Sequence, residues 1–286
     1  MPLLRQFTAL FGSDIAKPPA GLSSPSTAGC HPAEAEDEGH VRTFLGNAFS
    51  SFGDVAELKF PGKGCGFGFM RGPYCSYATA AGVHVLFSGE VGAWPGIDSV
   101  QSNHDAFMSN VKPAEDDDAH WLLDFYSTFT HSEVHNDEVV LQEALECLSE
   151  IKGSFAFVIY DSVGHRVLAA RDAEGAQPMY WGSTEDGRLL FGTTVTDLAG
   201  CNPTSTLFPA GSLFASTRHV ISSDPGPQGW VIEGDDFPGE ILSFVKADAG
   251  HWRSVTAIPR ITSKGCVTGA VYKVSSKPDL EHPARA

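Results

Sequence analysis

The sequence contains few cysteines, and their spacing excludes several classes of protein. Its 286 residues include six Cys, none of which forms a C-x-x-C pair. Neither a zinc ribbon nor a dithiol redox motif is therefore indicated. Six cysteines in a chain of this length are too sparse for a disulfide scaffold, and the N-terminus shows no secretory signal pattern. We expect reduced thiols and a cytoplasmic protein, with import into an organelle left open.

Basic residues are also scarce. Nineteen Lys and Arg stand against 35 Asp and Glu, which gives a formal net charge of −16. Binding to nucleic acid or to anionic membranes needs clustered positive charge, so neither partner is expected. No apolar run approaches the roughly 20 residues that would span a bilayer. The composition therefore predicts a soluble protein, and its acidity leaves room for a basic protein partner.

Short apolar runs separated by Asp, Gly and Pro are abundant, and those between Gly153 and Gly182 are the clearest (GSFAFVIYDSVGHRVLAARDAEGAQPMYWG). Ser154–Tyr160 and Arg166–Ala170 have the composition of antiparallel strands joined by a tight turn. A third run opens at Pro178. The first run is apolar on both faces, so we expect it to be covered on both sides. The predicted core residues of the two runs, between a sheet and a helix layer, are Phe155, Phe157, Ile159 and Leu168.

Two amphipathic helices precede this hairpin. One follows Asp117–Asp118, with apolar residues at helical spacing up to Phe129, and the other covers Glu138–Ile151 after a capping Asp137. Helices between groups of antiparallel strands indicate an α+β layered fold. We predict one domain over residues 1–275, including a mobile loop at 17–39 and an insertion at 222–239. Residues 276–286 are predicted to form a polar tail.

The central segment resembles the pattern G-x-F-A-F-x-x-x-D…L-x-x-A-R-D-x-x-G-x-x-P-L-Y in the glutaminase domain of asparagine synthetases. That domain is of the class II glutamine amidotransferase type, and the closer likeness is to the plant aluminium-induced and stem-specific proteins. The likeness extends from about Phe44 to about Val274. It implies the N-terminal-nucleophile hydrolase fold, a four-layer α-β-β-α sandwich. Within the motif, the resemblance assigns a structural role in orienting the turn to Arg171, Asp172, Gly175 and Pro178.

The resemblance also identifies candidate site residues. The oxyanion segment F-N-G-E-I corresponds to Phe87–Val91 (FSGEV), in which Ser88 replaces the Asn and Gly89 keeps its N–H for an oxyanion. Asp118 occupies the position that binds the substrate ammonium, although an N-cap role would need no substrate. Arg71 lies in the right part of the chain to bind the substrate carboxylate, but its surroundings do not match the motif. A small amino-acid-like ligand would fit such a pocket.

The nucleophile that these enzymes require, a Cys at the mature N-terminus, is missing from the start of the sequence, which reads Met1–Pro2. Cys65 lies only 23 residues before Ser88, too close for the intervening elements, and Cys30 lies in a loop-like stretch. We therefore predict a catalytically inactive protein that acts by binding a ligand or a protein, with a stress-related role implied by the resemblance. Two alternatives remain, an amide hydrolase activated by processing at Cys30 and a structural subunit of a larger assembly or homo-oligomer.

No cofactor or metal is expected. His131 and His135 have i,i+4 spacing but lack a clear third ligand, and Asp116–Asp118 is more typical of a helix cap. The insertion at 222–239 offers a candidate partner site instead, because Trp230 and Phe237 lie among carboxylates in a Gly/Pro-rich stretch. Docking of these two rings on the protein's own surface is the alternative.

Overall fold

The computed structural model describes residues 7–19, 21–22, 38–95, 117–130, 137–164, 166–198, 200–201, 205–216, 238–248 and 250–283. The α-helices in these ranges are α1 (Glu38–Phe49), α2 (Asp118–Thr130) and α3 (Asp137–Glu150). The strands are β1 (Phe7–Phe11), β2 (Ala56–Gly62), β3 (Cys65–Met70), β4 (Cys75–Ala80), β5 (Val83–Ala93), β6 (Lys152–Asp161), β7 (Arg166–Arg171), β8 (Tyr180–Ser183), β9 (Leu189–Gly192), β10 (Thr206–Leu207), β11 (Ser212–Ala215), β12 (Glu240–Ser243), β13 (Lys246–Asp248), β14 (His251–Ile261) and β15 (Val267–Pro283). None of the helices in these ranges is long and apolar enough to cross a membrane.

The described strands form two six-stranded sheets and one three-stranded sheet. The first sheet has the order β10-β8-β9-β1-β3-β2, and the second has the order β12-β11-β7-β6-β5-β4. The small third sheet has the order β13-β14-β15. All pairings are antiparallel, as the short runs and tight turns predict.

Three apolar clusters define the layers. One cluster joins Leu45 of α1 to Leu10 of the first sheet, and a second fills the space between the two large sheets, where Phe67 and Val158 are buried. The third lies between the second sheet and helices α2 and α3. The predicted α-β-β-α sandwich is confirmed, because each large sheet has one face on the other sheet and one face on helices.

The central hairpin is buried on both faces, as predicted. Side chains alternate along β6: Phe155, Phe157 and Ile159 belong to the helix-side cluster, whereas Ala156 and Val158 belong to the cluster between the sheets. Leu168 faces Ile159 across the β6–β7 pair and also lies in the helix-side cluster. The four residues predicted to lie between a sheet and a helix layer are therefore confirmed there.

The Gly-Phe alternation in β3 has a packing cause. The two glycines of CGFGF face α1, and a Cβ on Gly66 would lie 2.5 Å from Val41 Cγ1, while one on Gly68 would lie 2.3 Å from Phe49 Cε2. The alternating Phe67 and Phe69 are fully buried on the other face of the sheet. The segment is thus a tightly packed strand, and it forms a hairpin with β2 rather than a phosphate loop.

We expect Gly68→Ala to lower the free energy of unfolding by about 1–3 kcal/mol, because the buried Phe49 ring must move to admit a methyl group. Gly46→Ala is the matched control within α1. A Cβ there meets nothing within 4 Å, so the change should instead stabilise the helix by about 0.5–1 kcal/mol. Urea denaturation of both variants would measure this difference, and equal effects would contradict the packing explanation.

The predicted boundary between the domain and a polar tail needs correction. Residues 276–283 belong to β15 instead of a polar tail, so the domain limit at 275 falls inside a strand. Pairing across the hairpin, Arg253 with Pro278 and His251 with Pro283, extends this strand beyond its apolar part. Most of the predicted loop at 17–39 and of the insertion at 222–239 lies outside the described residues. The described flanks meet, since the Gly239 N–H donates to the Lys17 carbonyl at 3.1 Å.

Candidate functional site

Arg171, at the end of β7, binds the carbonyls of the turn that follows it. Its Nε donates to the Gln177 carbonyl at 2.6 Å, its Nη2 to the Gly175 carbonyl at 2.5 Å, and its Nη1 to the Phe208 carbonyl at 2.9 Å. Only 6% of the residue is exposed, and this burial lowers the pKa of the guanidinium. One planar cation therefore joins the turn to the chain segment before β11.

Asp172 binds the same turn from the other side. Its Oδ1 accepts the Ala176 N–H at 2.8 Å and its Oδ2 accepts the Gln177 N–H at 2.9 Å. Its own N–H donates to the Phe155 carbonyl of β6 at 2.8 Å. Gly175 supplies the positive φ of 65° that the turn needs. Arg171 and Asp172 thus act separately on the turn, one through its carbonyls and the other through its amides.

The turn positions Gln177 against the oxyanion segment. Its side-chain Nε2 donates to Oγ of Ser88, and Ser88 is fully buried on β5. The hydroxyl at the position of the motif's Asn is therefore engaged by a residue of the same chain. Sequence reasoning missed Gln177, because it occupies an unspecified position of the G-x-x-P pattern and contacts Ser88 only through the fold.

Gly89 is fixed by two close contacts. Its N–H donates to the Tyr74 carbonyl at 2.9 Å, and a Cβ built on it would lie 2.0 Å from the Ser154 carbonyl oxygen. Its φ of 123° also favours glycine. The backbone can accommodate only glycine at this position without shifting, and the amide that the sequence assigned to an oxyanion is bonded to the protein itself.

Asp118 connects the oxyanion strand to the start of α2. Its Oδ2 accepts the Val91 N–H at 3.3 Å and its Oδ1 accepts the Trp94 indole N–H at 3.4 Å. The helix cap is the preceding residue, Asp117, whose carboxylate accepts the His120 N–H at 3.0 Å. The N-cap alternative for Asp118 is therefore wrong by one residue, and its carboxylate instead bonds to the end of β5.

Arg71 lies beside this helix start and is partly exposed. Its Nε donates to Glu57 at 3.0 Å, and its Nη1 lies 3.7 Å from the carboxylate of Asp117. Burial would raise the pKa of Glu57, but the hydrogen bond and charge of Arg71 outweigh it and lower this pKa. The side chain reaches the residue next to Asp118, so the predicted pocket residues surround one end of β5.

Three buried cysteines among the described residues have raised thiol pKa values. Cys75 faces Ser88 across the β4–β5 pair, and burial raises its pKa to about 12. Burial also raises the pKa of Cys65 well above its usual range and that of Cys201 to about 12. A thiol attacks as the thiolate, so these three side chains are not activated.

Several predicted candidates lie outside the described residues: Cys30, Asp116, His131, His135, Trp230 and Phe237. Within the described ranges, no group of three or more His, Cys, Asp or Glu could hold a metal ion.

Comparison with known proteins supports the resemblance noted in the sequence. Residues 141–228 match the family model described as "Aluminium induced protein". The chain is also 37% identical over 90 residues to asparagine synthetase B [glutamine-hydrolyzing] of Escherichia coli (strain K12). That match covers 30% of this chain and 16% of the relative. The likeness to the class II amidotransferases and to the aluminium-induced proteins is thereby confirmed, and it extends over only a small part of the relative's length.

Solved structures of similar shape include amidotransferases. The glutamine phosphoribosylpyrophosphate amidotransferase of B. subtilis is 10% identical, with a TM-score of 0.45, and the match covers 86% of this chain and 50% of that chain. A glutamine aminotransferase class-II domain protein from Silicibacter pomeroyi is 14% identical, with a TM-score of 0.38, and the match covers 73% and 94% of the two chains. Likeness at these scores carries no conclusion about function.

Proposed function

We propose that this chain, whose sequence resembles the class II glutamine amidotransferases, is a catalytically inactive relative that acts by binding. The ligand would be a small amino-acid-like molecule or another protein, and the family description "Aluminium induced protein" is consistent with a stress-related role. Glutamine hydrolysis needs an activated thiol and two donors aimed at the developing oxyanion. Among the described residues, we find neither an activated thiol nor two donors that are free to bind an oxyanion.

The observation that carries the proposal is the bonding of the Gly89 amide. This N–H donates to the Tyr74 carbonyl at 2.9 Å, and a donor already satisfied by the protein has to break that bond before it can stabilise an oxyanion. The second donor of the motif, the Asn side chain, is replaced by Ser88, whose hydroxyl accepts a hydrogen bond from Gln177. Removing one oxyanion donor typically lowers kcat by about 100-fold to 1,000-fold, so loss of both would abolish useful turnover.

Ammonia release from L-glutamine by the full chain tests the inactive assignment. We expect no release above that of a heat-unfolded sample of the same preparation. Intact-mass measurement on protein isolated from its natural source belongs with this assay, because it reports whether the chain has been cut before Cys30. Glutamine turnover by a form that begins at Cys30 would overturn the proposal and establish the amide hydrolase.

Ligand binding is tested separately by calorimetric titration with glutamine and glutamate. If the pocket that the resemblance assigns to Arg71, Gly89 and Asp118 binds an amino acid, Asp118→Asn should weaken binding by about tenfold or more. The carboxylate of Asp118 would face the ligand's ammonium in that pocket. Glu240→Gln removes one carboxylate from β12 and serves as the charge-matched control. Binding that is insensitive to Asp118→Asn would move the ligand site elsewhere, and absence of amino-acid binding would favour a protein partner.

A further inference from the structure

The β14–β15 hairpin has one face packed on the sandwich and one face exposed. On the packed face, Tyr272 is 5% exposed and its ring meets Trp181 edge-on at a centroid distance of 5.4 Å. On the opposite face, Ile258 is 44% exposed and stands next to Val271 across the strand pair. At the tip, Ile261 and Val267 form a second exposed cross-strand pair. We call residues 253–277 of this hairpin the arm.

The arm concentrates the positive charge of an otherwise acidic protein. It contains five of the chain's 19 Lys and Arg and no Asp or Glu, so the remaining residues carry 14 cations against 35 anions. Lys264, Lys273 and Lys277 are exposed, and none of them forms an ion pair with another of the described residues. The arm therefore presents apolar side chains among three exposed lysines that no described carboxylate pairs with.

Helix α3 has the opposite character. Its sequence, DEVVLQEALECLSE, contains five carboxylates and no Lys or Arg. Glu146 and Glu150 fall in its last turns, where the helix dipole disfavours anions and favours cations. Lys246 of β13 already contacts Glu146 at 3.0 Å, which shows that an ammonium group from a strand can dock on this surface.

We propose that the arm docks on helix α3 of a second copy of this chain, forming a homodimer in which each arm contacts the other copy's helix. The reciprocal arrangement closes with two-fold symmetry, so every arm and every α3 surface is used. A second copy is favoured over nucleic acid because the 35 anions of the chain would repel a phosphate backbone while attracting the arm. Exposed Ile258, Ile261 and Val267 would supply the apolar contacts of the interface.

Sedimentation equilibrium of the full chain at low and high salt is the first measurement. We expect a dimer whose dissociation constant rises with salt, because the complementary charges are screened. A chain that stays monomeric up to about 100 μM at low salt overturns the proposal. So does a chain that stays monomeric while binding a single-stranded oligonucleotide, since the arm would then serve a different partner.

Charge reversal identifies the two surfaces. Lys264→Glu with Lys273→Glu in the arm should weaken self-association by about tenfold or more. Glu143→Lys with Glu150→Lys in α3 should do the same. Mixing the two variants should restore association to within about threefold of the unmodified chain, because both arm–helix contacts of a mixed dimer again join opposite charges.

The matched control reverses two lysines on a different hairpin, Lys59→Glu with Lys63→Glu, which changes the net charge by the same amount. It should leave association within about threefold of the original, and circular dichroism verifies that all variants are folded. Equal weakening by the arm and control variants would mean that only net charge matters. If the mixture does not recover association, the arm does not dock on α3. Either result contradicts the proposed dimer, and neither bears on glutamine hydrolysis.

Discussion

Replacing Phe157 with Ala is expected to lower the free energy of unfolding by about 3–5 kcal/mol. The ring is 2% exposed in the cluster between the second sheet and helices α2 and α3, and it stacks on Phe155 at a centroid distance of 5.9 Å. Truncation would leave a cavity in the layer that carries Leu168. The neighbouring strands cannot collapse into that cavity, because they are hydrogen-bonded on both sides of β6.

Urea denaturation monitored by tryptophan fluorescence measures this effect. Val163→Ala, in the turn between β6 and β7, is the control, because its side chain is 74% exposed and the change should fall within about 0.5 kcal/mol. A loss of less than about 1 kcal/mol for Phe157→Ala would mean that the ring is not a core residue. The layer assignment on the helix side of the second sheet would then be wrong.

That β6 lies between two layers could be predicted from the sequence, because its residues are apolar at both odd and even positions. A run that is apolar at both odd and even positions has to be covered on both faces, and only a sheet between two layers provides this. The β14–β15 hairpin was harder to predict from the sequence. Ile258 and Ile261 are exposed and the hairpin is interrupted by register shifts, so its strands do not alternate between apolar and polar residues.

The candidate site was only partly predictable. The motif led to Ser88, Gly89 and Asp118, because residue identity and order suffice to align a pattern. Their bonding partners could not be predicted, since Tyr74 and Gln177 contact Gly89 and Ser88 only after the strands have paired. Sequence spacing indicates which groups are present, whereas the fold determines whether a donor is already satisfied. The proposal of an inactive site rests on the observation that Gly89 and Ser88 are already hydrogen-bonded within the fold.

Arg171→Ala is expected to lower the free energy of unfolding by about 3–5 kcal/mol. The change leaves the carbonyls of Gly175, Gln177 and Phe208 without the guanidinium that binds them. A hydrogen bond to a charged donor contributes about 1.5–3 kcal/mol. Removing Arg171 also removes the cost of keeping a cation out of water, which offsets part of the destabilisation. Arg171→Lys should recover less than half of the loss, because one ammonium cannot reach three carbonyls with the geometry of a planar fork.

Chemical denaturation gives the stabilities, and amide hydrogen exchange shows where the damage lies. The Ala176 and Gln177 amides, which donate to Asp172, should lose protection in Arg171→Ala, while amides of the β5–β6 pair exchange as before under native conditions. Arg42→Ala provides the control, because this guanidinium is exposed and lies over the Phe60 ring at 4.3 Å, and it should cost less than about 1 kcal/mol. If Arg171→Lys proved as stable as the original chain, a single positive charge would suffice to hold the turn. The planar fork of Arg171 would then not be what aligns Gln177 with Ser88.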